Sequence, residues 1–517
     1  MHAGASADRR SVADKGRLPS PGFFLNMIAM KWMKSGALAA AVIFALQVPP
    51  AFAAQETLQQ RVEKRLREAG PGTRFGLVVA AEDGKEIVAI APEDRFIPAS
   101  NTKMFTTAAA FATLTGLDAP DQTGGAAVRI EGEGRGPPDA VLEGNGDARL
   151  SSAADCTIDC LSTLADAVAA KTRIVRNVVG DGSLFPDQRW SPGMSWNNIP
   201  TRSGTAVSAL SLDDNELPLS VTPAVVGKAP SLETSGYYTV ENRALTMGAG
   251  ATNLEVERLP GSKTLRLSGT IAAGAKPELI RLGIDDPAHY AAWRFRQLLE
   301  ARGVRVTGEV SSRYRRLTRA DDPKLRGSAP PARPPRQEPL AKLTPPPLIE
   351  DLILTNKVSQ NLHAELFLRR VGLQEGTGSI ADGQAAIRAM LERAGVPRAA
   401  YDLSDGSGMS TYNRVAPRGM VTFLRWIAAQ PWGAAWRETL PIAGIDGTLT
   451  NRFRGTTLER RLFAKTGSLN ATNALSGYMI GKSGRTLTFS IYANDVPEGG
   501  SASKAMDAAL ELVAEAN

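Results

Sequence analysis

The chain is organised around one short stretch near its start, FIPASNTKMF at residues 96–105. It places Ser100 and Lys103 three residues apart, at the predicted start of a helix that continues through TTAAA at 106–110. Residues i and i+3 share one helix face, so the lysine amine can reach the serine hydroxyl. A serine becomes a good nucleophile when an adjacent base takes its proton, and a partly buried lysine can be that base. The free N–H groups of a helix start can also stabilise a developing oxyanion.

The S-x-x-K pattern is weak when it stands alone, because a helix N-cap with a surface lysine gives the same letters. The chain itself holds a second copy, SASK at residues 501–504, which is predicted to be the solvated start of the last helix. What favours Ser100 as the reactive copy is the set of motifs that follows it along the chain.

Two further triplets follow Ser100. KVSQN at 357–361 is predicted to lie on a helical stretch, where Ser359 and Asn361 offer a hydroxyl and a carboxamide two residues apart. KTGS at 465–468 is predicted to lie at the end of a strand. It offers an ammonium, two hydroxyls and a glycine that lets another group approach the backbone closely. S-x-N is common in this chain, whereas K-T-G occurs once.

In the order S-x-x-K, S-x-N, K-T-G, the motifs resemble those of the serine penicillin-recognising enzymes. The long segment between the first two motifs is similar to that of class C low-molecular-mass penicillin-binding proteins, the exported D-alanyl-D-alanine carboxypeptidase/endopeptidases (DacB-type) of peptidoglycan. Further stretches resemble that family, namely GDGS at 180–183, AVSAL at 206–210, NLHAE at 361–365, DGSGMS at 405–410 and DGTL at 446–449. Relatives often carry Ser-Asp-Asn as the second motif, where this chain has Gln360 in the middle.

The resemblance implies a role for each motif residue. Ser100 would attack the carbonyl of the penultimate D-alanine, and Lys103 would accept its proton. Ser359 would relay a proton toward the leaving amine, with Lys465 keeping the site positive. Asn361 would hold the acyl-side amide and the lysine side chain.

The resemblance also implies how substrate is held. The hydroxyls of Thr466 and Ser468 would bind the terminal carboxylate, with Gly467 between them allowing close approach. The backbone N–H groups of Ser100 and Ser468 would form the oxyanion hole. The expected ligands are stem peptides ending in D-Ala-D-Ala and β-lactam antibiotics, and this chemistry needs no metal or organic cofactor.

The predicted fold class is α/β (α+β), a penicillin-binding protein/β-lactamase-like transpeptidase domain with a long multi-module β-rich insertion. Residues 54–118 form the first part of the catalytic domain, and residues 336–517 form the second. Between them, residues 119–335 are predicted to form inserted modules, because the amino-acid composition becomes rich in Gly, Asp and Pro near residue 118. A small β-rich module occupies 207–285 within the insertion.

The N-terminus has the features of a targeting segment. A positive flank precedes an apolar run at 36–46, and AFA at 51–53 gives a small-x-small cleavage site, so residues 1–53 are predicted as a signal peptide with an N-terminal extension. The run is too short for a retained membrane anchor, so a periplasmic location is expected. Without these 53 residues, which hold six Lys/Arg and two Asp/Glu, the formal charge falls from +7 to +3. The high isoelectric point therefore does not indicate nucleic-acid binding.

Cysteine and histidine counts narrow the chemistry. The only cysteines are Cys156 and Cys160, and an oxidising compartment leaves a local disulfide open. A regular helix over both would make that bond awkward. Only three histidines are present, which disfavours a His-rich metal site and a Ser–His–Asp triad.

Two alternatives share some of these features. A β-lactamase would use a dedicated glutamate to activate water, but no E-x-x-L-N stretch lies between Asn361 and Lys465. A non-catalytic peptidoglycan-binding scaffold would be expected to have lost at least one motif residue, and here the set is intact.

Overall fold

The computed structural model describes residues 56–132, 134, 136–331, 333, 337–500 and 502–517. The predicted signal peptide and the mature start at Ala54 lie outside this part of the chain. Ser501, the serine of the second S-x-x-K copy, also lies outside it, while Lys504 of that copy is solvent-exposed on the final helix.

Within the described residues, two helices lie near the start, two lie in the middle of the chain, and a denser series follows residue 320. In chain order they are α1 (Leu58–Arg67), α2 (Thr102–Thr113), α3 (Leu161–Lys171), α4 (Pro287–Ala301), α5 (Pro323–Arg326), α6 (Leu348–Lys357), α7 (Asn361–Glu375), α8 (Ile380–Arg393), α9 (Pro417–Ala428), α10 (Gly433–Glu438) and α11 (Ala502–Glu515).

The strands concentrate in the middle of the chain and at its two ends. In chain order they are β1 (Arg74–Ala81), β2 (Glu86–Ile90), β3 (Ala127–Glu131), β4 (Asp139–Glu143), β5 (Ile174–Val175), β6 (Val178–Pro186), β7 (Glu216–Thr222), β8 (Ser231–Thr234), β9 (Thr239–Asn242), β10 (Leu245–Met247), β11 (Asn253–Glu257), β12 (Thr264–Ala272), β13 (Glu278–Gly283), β14 (Arg305–Val306), β15 (Val310–Arg315), β16 (Ala341–Lys342), β17 (Tyr401–Asp402), β18 (Arg414–Val415), β19 (Leu462–Leu469), β20 (Thr472–Ile480) and β21 (Thr486–Asn494).

The two ends of the described chain meet in one antiparallel sheet, in the order β19-β20-β21-β1-β2. Successive side chains of a strand point to opposite faces, so each face has its own core. Phe489 and Ile491 of β21 pack in the core that contains α1 and α11, while Tyr492 packs in the core that contains α2, α7 and α9. The K-T-G strand β19 is one of the two edge strands of this sheet, and β2 is the other.

The middle of the chain has a separate hydrophobic core. It is built from residues 126–343 and centres on β4, α3, α4 and the strands that follow. A second five-stranded sheet, β15-β6-β4-β3-β16, belongs to it, as do the smaller sheets β13-β7-β8 and β10-β12-β11 with β9. Inserted modules need a hydrophobic core of their own, and the middle of the chain has one. The boundaries at 119 and 335 remain a prediction.

The middle region packs against α7, the helix that begins at Asn361 of the second motif. A small apolar cluster joins Phe185 and Val207 of the middle region to Leu362 and Leu366 of α7. The structure pairs Cys156 with Cys160, with Cα atoms 5.7 Å apart. Among the described residues, no helix is both long and apolar enough to cross a bilayer.

The helix α3 begins only at Leu161, after the disulfide loop, so the two cysteines do not share a regular helix. Two local predictions need correction. The K-T-G motif lies inside β19 rather than at a strand end. Ser359 is not helical: α6 ends at Lys357, and Ser359 has a left-handed backbone with φ of 65°. In a continuous helix residues two apart point about 200° away from each other, so Ser359 and Asn361 could not both face one cleft.

Candidate active site

The Ser100–Lys103 pair lies where a 3-10 turn, Ala99–Asn101, runs into α2. Ser100 is partly exposed, whereas Lys103 is fully buried. The turn is fixed to the sheet because the Asn101 side-chain amide donates to the Lys465 carbonyl at 2.7 Å. Ser476 on β20 donates to the Asn101 side-chain oxygen at 2.7 Å. The nucleophile candidate is therefore presented to solvent from a rigid support.

Lys103 has three polar neighbours. Its Nζ lies 3.0 Å from Ser100 Oγ, and it donates to Asn361 Oδ1 at 2.6 Å and to the Ser407 carbonyl at 2.6 Å. Burial lowers the pKa of Lys103 from 10.5 to about 7, although two nearby carboxylates oppose this effect. An amine with a pKa near neutrality can accept the Ser100 proton at physiological pH.

The two carboxylates are Asp405 and Glu365, both buried beneath the site. Glu365 Oε1 accepts from the backbone N–H groups of Gly406 and Ser407, each at 2.9 Å, and its other oxygen pairs with Arg369 at 2.7 Å. Asp405 accepts from further backbone N–H groups of its own loop. Burial, followed by the charge of Glu365, raises the pKa of Asp405 to about 6. Together they hold the loop whose Ser407 carbonyl contacts Lys103.

Ser359 faces the second lysine of the site. Lys465 Nζ donates to Ser359 Oγ at 2.8 Å and to the Thr466 carbonyl at 2.9 Å. Burial, and after it the positive charge of Lys103, lower the pKa of Lys465 well below its usual value. A positive charge on Lys103 therefore disfavours a positive charge on Lys465 across the cleft.

The K-T-G segment of β19 forms one wall of the cleft. Thr466 Oγ1 donates to the Thr448 hydroxyl at 2.7 Å, which brings in the DGTL loop at 446–449. A Cβ on Gly467 would come within 2.7 Å of the Pro98 carbonyl and 3.1 Å of Ser100 N, so only glycine allows the strand and the turn to approach this closely. Ser468 is exposed at the mouth of the site.

The middle region supplies part of the opposite wall. Asn361 donates from its side-chain amide to the Ser203 carbonyl at 2.9 Å. Ser410 of the DGSGMS loop donates to the Pro192 carbonyl at 2.6 Å. Residues separated from Ser100 by about a hundred positions thus come to border the same cleft.

The structure brings all eight predicted site residues to this cleft. Ser100 pairs with Lys103, Ser359 pairs with Lys465, and Asn361 contacts Lys103 and Ser203. Residues 466–468 lie along β19. The sequence alone did not identify what supports them: Glu365, Asp405, the Ser407 carbonyl, Thr448 and Ser203. Four of these lie in or beside stretches that resemble the family, but their contacts are made by backbone groups or across loops, which leave no spacing signal in the sequence.

Known proteins are similar to this chain along most of its length. A family model described as D-Ala-D-Ala carboxypeptidase 3 (S13) matches residues 58–516. The D-alanyl-D-alanine carboxypeptidase of Actinomadura sp. (strain R39) is 34% identical over 440 residues, which cover 81% of this chain and 77% of that protein. The D-alanyl-D-alanine carboxypeptidase DacB of Haemophilus influenzae is 25% identical over 383 residues, covering 71% of this chain and 76% of that protein.

Solved structures show the same fold. Penicillin binding protein 4 (dacB) from Haemophilus influenzae superimposes with a TM-score of 0.72 at 23% identity, covering 87% of this chain and 97% of that chain. The same protein complexed with a novel beta-lactam gives a TM-score of 0.68 at 21% identity, covering 88% and 98%.

Proposed function

The chain belongs to the D-Ala-D-Ala carboxypeptidase 3 (S13) family, and we propose that it is a serine D-Ala-D-Ala carboxypeptidase that works through an acyl-enzyme on Ser100. One observation carries this assignment: a partly exposed serine hydroxyl lies 3.0 Å from a fully buried lysine amine, Lys103, whose pKa burial lowers to about 7. Nucleophile and base are therefore already in contact and in usable protonation states.

In the first half of the reaction, Ser100 Oγ attacks the carbonyl carbon of the penultimate D-alanine while Lys103 Nζ takes the hydroxyl proton. The C–N bond to the terminal D-alanine then breaks, and its amine takes up a proton through Ser359, which contacts Lys465 at 2.8 Å. Water afterwards attacks the Ser100 ester and releases the shortened peptide. Asn361, at 2.6 Å from Lys103 Nζ, keeps the base in place through both steps.

The terminal carboxylate of the substrate is held by the hydroxyls of Thr466 and Ser468. This carboxylate also brings a negative charge close to Lys465. In the free protein the pKa of Lys465 is lowered by burial and by the charge of Lys103. A negative charge within a few ångströms favours the charged form of a lysine. Substrate binding therefore raises the pKa of Lys465 and favours its ammonium form.

The oxyanion of the tetrahedral intermediate is stabilised by the backbone N–H groups of Ser100 and Ser468. The close approach at Gly467 supports this assignment, because it brings β19 against Ser100 N. Each donor in such a hole typically contributes about 2.7–4 kcal/mol to transition-state stabilisation.

The same nucleophile can act on cross-links between stem peptides, because in a cross-link the carbonyl of a D-alanyl residue is also joined to an amine by an amide bond. Digestion of purified muropeptides, monomeric and cross-linked, followed by identification of the products, measures the balance between carboxypeptidase and endopeptidase activity. A chromogenic cephalosporin tests the β-lactamase alternative: rapid, sustained hydrolysis would favour that enzyme class instead.

We further propose that the protein is exported to the periplasm and cleaved before Ala54. The charged flank, the short apolar run and the small residues Ala51 and Ala53 support cleavage there. N-terminal sequencing of the exported protein tests this proposal, and a mature chain that still carries residues 36–46 would contradict it.

The decisive experiment traps the acyl-enzyme with benzylpenicillin, which resembles the D-Ala-D-Ala end and opens on the attacking serine. Intact-mass analysis should show a single adduct, and peptide mapping should find it on the peptide that contains Ser100. Ser100→Ala should abolish both the adduct and the peptidase activity. Ser501→Ala is the matched control from the second S-x-x-K copy and should leave both unchanged. An adduct that survives Ser100→Ala would overturn the assignment.

A further inference from the structure

We propose that His363 is a positioning residue for this reaction: its imidazolium, held between Asp214 and Asp351, fixes the two helices that flank the Ser359–Asn361 turn. The inference rests on the proposed function, because it concerns how that turn is presented to Lys103 and Lys465. No role for His363 follows from the motif residues themselves.

The contacts of His363 join three separate parts of the chain. The residue lies in the first turn of α7 and is 2% exposed. Its Nε2 is 2.8 Å from Asp214 Oδ1, in the middle region. Its Nδ1 is 3.5 Å from Asp351 Oδ1, on α6, an ion-pair distance without hydrogen-bond geometry. One buried ring therefore connects α6, α7 and the middle region.

These connections matter because the S-x-N motif lies in the gap between α6 and α7. Ser359 adopts φ of 65° there, a conformation that persists in a non-glycine residue only when its surroundings impose it. Ser359 must reach Lys465 at 2.8 Å, and Asn361 must reach Lys103 at 2.6 Å. Both distances depend on how far apart the two helix ends are held, and misplacement by about 1 Å can slow a reaction about 100-fold.

The partner in the middle region is itself held in an unusual backbone. Asp213, Asp214 and Asn215 are three consecutive left-handed residues, with φ of 51°, 57° and 51°. Asp213 accepts from Ser152 N at 2.8 Å, and Asn215 Oδ1 accepts from Leu212 N at 3.0 Å. Such strain is characteristic of functional sites, and here it presents the Asp214 carboxylate to His363.

The charges around the ring favour its protonated form. Burial lowers the pKa of His363, but Asp214 and Asp351 outweigh it and raise the pKa from 6.5 to about 9. Arg149 also contacts Asp351, at 3.3 Å. The imidazolium and its ion pairs are therefore present at neutral pH and are lost as the pH rises through about 9.

Other charged groups face this network from the neighbouring elements. Arg202 acts on Asp214, and Glu350 contacts Arg149 at 3.5 Å. Behind Asp351 lie the buried carboxyls of Asp147 and Asp159, whose pKa values are raised chiefly by burial.

The test compares His363→Gln with His289→Gln in the exported protein. His289 is the matched control, because it is the other histidine of the described chain, lies on α4 of the middle region and contacts Tyr237 rather than the site. The measurement is the second-order rate of Ser100 acylation by benzylpenicillin between about pH 6 and pH 10. Since charge-assisted hydrogen bonds are about twice as strong as neutral ones, His363→Gln should acylate about tenfold more slowly near pH 7. The difference should vanish near pH 10, where the wild-type ring is neutral. His289→Gln should follow the wild type throughout.

A constant ratio across the pH range, or a variant equal to wild type at pH 7, would overturn the proposal. If His363→Gln does not fold, Asp214→Asn provides the same comparison, with the same expected loss and convergence. Nitrogen-15 NMR of labelled histidines in the wild type adds a spectroscopic readout, with the two ring signals assigned by comparison with His289→Gln. The His363 ring should stay protonated up to about pH 8, and its signal should shift on acylation. An unshifted signal would count against the role. Failure here leaves the Ser100 adduct intact, whereas failure of the proposed function removes it.

Discussion

At the scale of single residues, burial decides what each lysine of the site can do. Lys103 and Lys465 are both fully buried and both have lowered pKa values, while Lys504 of the second S-x-x-K copy is exposed. The same four-letter pattern therefore has different chemistry at its two positions. Only in the first copy does the fold remove water from the amine.

The Lys103 pKa predicts the pH dependence of acylation. The neutral amine is the base, and its fraction rises as the pH increases through about 7, so the rate of Ser100 acylation by benzylpenicillin should rise over that range and level off by about pH 8, before the fall expected above about pH 9 as His363 loses its proton. Lys103→Ala should acylate about 10²- to 10⁴-fold more slowly and lack this rise. Stopped-flow kinetics against pH measures both. A wild-type rate that stays flat between about pH 5 and pH 8 would mean that another group is the base.

A second residue-scale prediction concerns the carboxylate clamp. Thr466→Val keeps the shape of the side chain but removes a hydroxyl that faces the cleft beside Thr448. A hydrogen bond to a charged group is worth about 1.5–3 kcal/mol, so hydrolysis of D-Ala-D-Ala peptides should slow about 10- to 100-fold. A peptide with an amidated terminus should lose much less, and Thr486→Val at the start of β21 is the control. Equal losses on both peptides would show that Thr466 has another role.

At the scale of elements, the sequence predicted what local periodicity controls and missed what tertiary contacts control. The helix α2 and the closing helix α11 follow from local sequence pattern. The break at Ser359 does not, because apolar spacing continues across 348–372 and no glycine or proline marks the turn. Its left-handed backbone places the hydroxyl against Lys465, a partner more than 100 positions away along the chain.

The packing of β19 against the Ser100 turn gives an element-scale prediction. Gly467→Ala would bring a Cβ within 2.7 Å of the Pro98 carbonyl and 3.1 Å of Ser100 N, and must push the strand and the turn apart. Because both proposed oxyanion donors, the N–H groups of Ser100 and Ser468, lie at this junction, acylation should slow about 100-fold, as when one donor is removed. Gly274→Ala, where the added Cβ meets nothing within 4 Å, should acylate normally. Normal acylation by Gly467→Ala would place the oxyanion hole elsewhere.

At the scale of the whole molecule, the order of three short motifs was enough to predict the family and the fold class, and both are confirmed. The motifs could do this because each one marks a different element of the catalytic domain. They carry no information about how the middle region is placed, so the contacts of Ser203 and Pro192 at the cleft could not be foreseen. Those contacts join residues more than 150 positions apart.

The last prediction concerns the inserted modules at 119–335. A protease of broad specificity should cut first near residues 115–120 and 327–331, where the chain is exposed and outside regular structure, and only later near Ser100 or Lys465. Cutting should not separate the fragments at once. The buried ion pair of Asp121 with Arg370 at 2.6 Å, the contact of Asp214 with His363 and the apolar cluster around Phe185 all cross between the parts.

Because breaking a buried ion pair leaves an uncompensated charge, separation of the nicked fragments is strongly disfavoured. The nicked protein should therefore elute from gel filtration as one species and still form the benzylpenicillin adduct on Ser100. Denaturing electrophoresis of the same fractions should show the separate fragments, which proves that cleavage occurred. Early cutting beside Ser100 would contradict the predicted boundaries. Loss of the adduct on nicking, with Ser100 itself uncut, would instead mean that the insertion must remain covalently continuous to hold Asn361 and Ser359 in place.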